Sequence, residues 1–230
     1  PPLPRWADIV LLPLINLLAA LVLCGLVIFA IGENPFAALK VMINGAFVYQ
    51  GALGYTLFYT TSFIFTGLAV AIAFHARLFN IGAEGQASLG GLGATLVAFA
   101  MAPIPGIIAL PLAIGSAALF GAAWGIVPGY LQAKRGSHIV ITTIMFNFIA
   151  AALLVWLLAG MMLEPGQFSP QSSLLPEQTW LPKIHEMLGW IGLKTTATPL
   201  NASFLIALCA CLFFWVLVWR SRLGYEIRTV

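Results

Sequence analysis

An all-α fold of membrane-spanning helices is what this sequence predicts, on three observations. Of its 230 residues, 61% are hydrophobic and 7% charged, and the mean hydropathy is +1.02; soluble globular domains average roughly 45–50% apolar and about 25% charged residues. Ten basic and seven acidic residues are too few to cover the exterior of a water-soluble body of this length. Six apolar stretches reach or approach the roughly 20 residues that cross a hydrocarbon core about 30 Å thick: residues 9–31, 55–74, 84–102, 107–131, 139–163 and 200–219. Together they predict a polytopic transmembrane helical bundle of about six spans, forming one membrane domain over residues 1–230.

The chain opens Pro1-Pro2-Leu3-Pro4 with neither a Met nor a cleavable signal, so the first span is expected to remain as a true membrane helix. After it, Phe36, Leu39, Val41, Ile43 and Phe47 alternate with Lys40 and Asn44, the pattern of an amphipathic helix lying on the outer surface. The third span is the weakest of the six. It is short and glycine-rich, and it begins with Glu84, the only acidic residue set in an apolar neighbourhood. A broken or re-entrant segment is therefore expected near residues 80–86, because irregular backbone at membrane depth is tolerated only inside protein or along a water-filled cavity.

Small residues recur every fourth position at Ala83, Ala87, Gly91 and Thr95 on the third span and at Gly121, Gly125 and Gly129 on the fourth, which lets helix backbones approach closely. Pro111 and Pro128 are expected to kink the fourth span near its ends. On the fifth, Thr142, Thr143 and Asn147 interrupt an apolar helix, with Thr143 and Asn147 one turn apart on one face. The polar stretch over residues 164–198, with Pro165, Pro170, Pro176 and Pro182, reads as an external loop carrying short helices. Beyond the sixth span comes Arg220-Ser221-Arg222-Leu223-Gly224-Tyr225-Glu226-Ile227-Arg228, a short charged loop.

Lys and Arg in short loops favour the cytoplasmic side. With the N-terminus cytoplasmic, Arg5, Arg77, Lys134, Arg135, Arg220, Arg222 and Arg228 fall inside and Lys40, Lys183 and Lys194 outside. The basic residues stand at span ends rather than in runs, which reports topology and not nucleic-acid binding.

Several chemistries find no support. Cys24, Cys209 and Cys211 all lie in apolar stretches and read as small buried residues. His75 and His138 flank span ends without further metal ligands, and Ser137-His138, as sequence neighbours, point in different directions on a helix. No glycine-rich phosphate loop ending in Lys-Ser or Lys-Thr is present, so ATP hydrolysis would have to reside on a partner. No cofactor is called for.

The segment Phe79-Asn80-Ile81-Gly82-Ala83-Glu84-Gly85-Gln86 supports two readings. Its polar groups line a solute pathway, as broken helices do in transporters, or Asn80 caps the third helix and Glu84 complements the positive end of that helix's dipole. Thr143 and Asn147 likewise either meet a polar solute or hydrogen-bond a neighbouring helix. An ion-coupled secondary transporter is the alternative, and Glu84 is its one candidate carboxylate.

That segment, Ile141-Thr142-Thr143-Ile144-Met145-Phe146-Asn147 and Arg222-Leu223-Gly224-Tyr225-Glu226-Ile227-Arg228 together resemble the ABC importer inner-membrane permeases that serve ribose, branched-chain amino acids and nucleosides. Asn80-Ile81-Gly82-Ala83-Glu84-Gly85-Gln86 is most similar to the nucleoside and simple-sugar branch. The resemblance implies a membrane-spanning permease subunit in the cell inner membrane, importing a small polar solute. Its implied partners are cytoplasmic ATP-binding subunits, a second permease subunit and an external solute-binding protein. It implies Arg222, Gly224, Tyr225, Glu226 and Arg228 in the loop that couples to the ATPase, and on this permease reading the polar Asn80, Glu84, Gln86, Thr143 and Asn147 are expected along the pathway. In such permeases the pattern continues past the position of Val230 into the coupling helix and further spans.

Overall fold

The computed structural model describes Pro4 and residues 6–164 and 166–229. Arg5, Pro165, the opening Pro1-Pro2-Leu3 and the terminal Val230, all used in the sequence reading, lie outside the described residues. Among the described residues the helices are α1 (Ala7–Ala30), α2 (Pro35–Val48), α3 (Ala52–His75), α4 (Ala83–Ala100), α5 (Gly106–Arg135), α6 (Ile139–Gly160), α7 (Ile184–Trp190), α8 (Ser203–Arg220) and α9 (Arg222–Thr229). Five of them, α1, α3, α5, α6 and α8, are long and apolar enough to cross a membrane. The chain divides into two compact units, one of residues 1–56 with 196–198 and one of residues 57–195 with 199–230.

In the first unit Leu12–Ala30 of α1 is apolar apart from Asn16, and none of its residues is buried, the pattern of a helix that faces lipid. A short helix follows it, as expected. Asn34 starts α2 by accepting hydrogen bonds from the Phe36 and Ala37 amides at 2.9 and 3.3 Å, with Pro35 at the first helical position. Gly25 lets α1 come within van der Waals reach of Pro35.

In the second unit α4 is the central helix, packed against α5 and α6. Gly85, Leu89, Gly90, Leu92, Gly93 and Ala98 are buried along it. Leu89, Leu92 and Ala150 of α6 form the core, joined by Trp124, Leu153, Leu154, Leu157 and Met162. This explains the weak apolar signal of the third predicted span. A helix wrapped by protein needs small residues for close approach more than it needs greasy ones. At Gly93 an added Cβ would strike the Phe120 ring, at Gly90 it would lie 3.0 Å from the Ala117 carbonyl, and Ser116 Oγ donates to the Gly93 carbonyl at 2.7 Å.

The small-residue rows are thus partly redrawn. Gly121 and Gly125 of α5 pack on α4 as expected, against Gln86, whereas Gly129 meets open space. On α4 the contact row is Gly90 and Gly93; Gly91 is exposed with nothing near it. The reason is that α4 has partners on two sides, α5 and α6, and periodicity alone does not say which row faces them. Helix α5 runs continuously through Pro111 and Pro128 and ends at Gly136, whose φ of 66° is a left-handed helix stop.

Among its described residues the polar stretch after α6 carries a 3₁₀ turn (Glu177–Thr179) and α7. Gln178 closes it onto the turn between α4 and α5 through a hydrogen bond from Nε2 to the Ala102 carbonyl.

Candidate functional site

The ends of α3, α5 and α8 gather with the beginnings of α4 and α6. Ring contacts place His75 of α3 beside Phe214 and Trp219 of α8, and a cavity of about 390 Å³ is lined by Arg77, Leu78 and Phe79 on one side and Gly136, Ser137 and His138 on the other. Arg77, Lys134, Arg135, Arg220, Arg222 and Arg228 all sit at or beside these helix ends. Lys183 and Lys194 lie on the connection between the opposite ends of α6 and α8.

The departure from helix predicted here falls over residues 76–82. Helix α3 stops at His75, and Arg77 takes a left-handed φ of 54°, unusual for a residue with a Cβ. Asn80 Oδ1 then accepts the Gly82 amide at 2.7 Å and closes a turn just before α4 starts at Ala83. The first turn of any helix leaves amides without partners. Here one of them, Gly85 N–H, donates to Asn147 Oδ1 of α6 at 2.9 Å. The same side chain turns its Nδ2 to the Ile81 carbonyl at 2.9 Å. One turn earlier on α6, Thr143 Oγ1 accepts the Ile81 amide at 3.3 Å while donating to the Ile139 and Val140 carbonyls.

Thr143 and Asn147 therefore form a clamp on the loop that opens α4. Thr143 is 1% exposed. Gly85 belongs to the clamp by what it lacks: a Cβ there would sit 2.9 Å from Asn147 Oδ1 and 3.1 Å from Trp124 Nε1. Trp124 backs the clamp, its Nε1 donating to the Phe146 carbonyl at 3.3 Å with the two rings 5.2 Å apart. Trp124 and Gly85 escaped sequence reasoning. The available signal was an indole deep in an apolar span, whose N–H needs a partner when buried.

Gln86 and Glu84 point elsewhere. Gln86 lines a crevice of about 290 Å³ whose walls are Phe65, Thr66 and Ala69 of α3, Ala83 and Ala87 of α4, and small residues of α5 between Ala117 and Gly125. Its amide is the principal polar group there, because the Thr66 hydroxyl already donates to the Ser62 and Phe63 carbonyls of its own helix. Glu84 is exposed in the first turn of α4, where its charge complements the positive helix end.

The predicted coupling loop is a helix. After α8 ends, Ser221 Oγ donates to the Leu217 carbonyl and accepts the Gly224 amide at 3.0 Å, starting α9 as its cap. Gly224 is buried against the Leu217 and Val218 carbonyls, with no room for a Cβ. Arg228 folds back, its guanidinium 4.5 Å from the centre of the Trp219 ring and its Nε donating to the Gly224 carbonyl. That leaves Arg222, Leu223, Tyr225 and Glu226 exposed. A sequence view treats Arg222 and Arg228 as equivalent; the structure gives only Arg222 a free face.

The family described as branched-chain amino acid transport system / permease component matches residues 52–230. The chain belongs to this family. The matched region contains the clamp, the crevice and α9 together. The guanosine ABC transporter permease protein NupP of Bacillus subtilis is 33% identical over 96% of the chain and 61% of its own length. The glucose ABC transporter permease protein TsgB13 of Haloferax volcanii is 33% identical over 95% and 57%. The nucleoside ABC transporter permease protein NupB of Lactococcus lactis is 30% identical over 96% and 60%. The chain thus spans about three-fifths of the length of these relatives. No solved structure matches it. Family and apolar helices point to a multi-pass inner-membrane protein.

Proposed function

We propose that this chain is the membrane-spanning permease component of an ATP-driven importer whose cargo is a neutral polar solute, a nucleoside or simple sugar. The observation that carries the reading is the family match over residues 52–230. The relatives named for guanosine, glucose and nucleosides support the cargo class. Gln86 supports it chemically, since an uncharged amide both donates and accepts and so suits hydroxyls or base edges. Asn80, Thr143 and Asn147 serve the pathway by fixing the loop that leads into the first turn of α4, from which Glu84 and Gln86 project.

Cytoplasmic ATP-binding subunits supply energy and dock on the exposed face of α9, a second permease subunit completes the pathway, and an external binding protein delivers solute. The clustering of six basic residues at one end of the second unit supports a cytoplasmic N-terminus and a cytoplasmic α9.

The test is uptake of radiolabelled guanosine and glucose by cells expressing the full-length gene with its neighbouring transport genes. Uptake that collapses on ATP depletion and withstands ionophores is expected. Uptake that withstands ATP depletion and collapses with ionophores overturns the reading in favour of ion coupling through the Glu84 region.

A further inference from the structure

Helix α9 and the loop that opens α4 are far apart in sequence, yet two sets of aromatic contacts, one at His75 and one at its chain neighbour Phe74, connect them through the end of α3. Arg228 of α9 lies over the Trp219 face at 4.5 Å, held there by its hydrogen bond to the Gly224 carbonyl. Trp219 meets the ring of His75, the last residue of α3, at 6.0 Å and an interplanar angle of 89°, and Phe214 meets the same ring at 5.8 Å and 73°. The neighbouring Phe74 packs edge-on against Phe79 at 5.1 Å. Phe79 directly precedes Asn80, whose turn leads into α4 and Gln86.

From this geometry we infer that His75 and Trp219 are a positioning pair that carries displacement of α9 to the loop that leads into α4 and its crevice residue Gln86. The inference rests on the permease reading above. Each contact in the series is directional: edge-to-face rings and a cation over an indole lose energy when rotated or slid, unlike aliphatic packing. The His75 ring is also fixed. Its Nδ1 lies 2.7 Å from the Ala71 carbonyl, which can only accept, so Nδ1 carries the proton and the ring cannot swivel without breaking that bond. Movement of α9 with Arg228 therefore acts on Trp219, then on the end of α3 through His75, and through Phe74 and Phe79 on the head of α4. A Trp219 that served only as an interfacial anchor would affect insertion and stability, and would leave the coupling between ATP hydrolysis and transport untouched.

The experiment uses the complete transporter in proteoliposomes and reads solute moved per ATP hydrolysed, alongside ATPase co-purification and the melting temperature. Trp219→Leu and His75→Leu are each expected to keep the ATPase bound and to lower the coupling ratio by about fivefold or more. Trp219→Phe, which keeps an aromatic face, restores most of the ratio. The double variant is expected to do no worse than the more severe single one, because both break the same series. If Trp219→Leu yields no folded protein, His75→Gln carries the test, since its amide can still donate to the Ala71 carbonyl while the ring is gone. A wild-type coupling ratio in folded His75 and Trp219 variants with the ATPase bound overturns the inference and leaves the permease reading standing. Absence of any ATPase from the wild-type complex brings down both.

Discussion

Asn147 places its acceptor and one amide hydrogen on the backbone of a single loop, and Gln86 places neither there. Side chains of the same chemistry, both flagged by their polarity in an apolar context, thus have different work. The contrast is measurable. Asn147→Ala leaves the Gly85 amide and the Ile81 carbonyl unpaired, a loss of about 1–3 kcal/mol by the usual cost of orphaned groups. It should lower the melting temperature of the detergent-purified full-length protein. Gln86→Ala should leave that temperature within error of wild type and reduce solute uptake several-fold. Equal destabilisation by both would refute the division between clamp and crevice.

Helix α9 shows how a short element takes its shape from its neighbours. An eight-residue helix is too short to be stable alone in water. It exists here because Ser221 caps it, Gly224 seats it on the end of α8, and Arg228 fastens its last turn to Trp219. Replacing Gly224 with Val forces a side chain into the Leu217 and Val218 carbonyls and should unseat the helix. Recovery of the ATPase subunit by co-purification is expected to fall about tenfold or more, the equivalent of ~1.4 kcal/mol. Arg222→Glu should also reduce recovery while leaving α9 seated, and Arg228→Gln should act on coupling more than on docking. If Arg222→Glu and Arg228→Glu weaken docking equally, the free face assigned to α9 is wrong.

Across the second unit, charge and packing run in one direction. The end carrying Arg77, Lys134, Arg135 and α9 is basic, and α4, the least lipophilic of the long helices, is packed between α5 and α6. The proposed orientation, with this end cytoplasmic, rests on that asymmetry and can be checked directly. In a background with Cys24, Cys209 and Cys211 replaced by Ala, Arg135→Cys should react with a membrane-impermeant thiol reagent only after the cytoplasmic face is opened. Lys194→Cys should react in intact cells. The reverse pattern would invert the assigned topology.

Composition and hydropathy were enough to reveal a helical membrane protein, because lipid exposure selects apolar residues over whole spans and leaves a signal averaged over some twenty positions. Helix α2 was legible from the spacing of Phe36, Leu39, Val41, Ile43 and Phe47, whereas its cap at Asn34 came from the structure. Thr143, Asn147 and the residues 79–86 could be picked out as important, but which of them are clamp and which face the crevice could not. That choice depends on Asn147 meeting Gly85 and Ile81, partners more than sixty positions away, and no local pattern encodes such a meeting. The sequence by itself determined the class of protein, five of its six predicted spans and the polar segments from which the clamp and the crevice are built. Only the tertiary structure decided that α4 packs between α5 and α6, that Arg228 is folded onto Trp219, and that His75 of α3 meets Trp219 and Phe214 of α8, because these are consequences of side chains from separate helices competing for the same space.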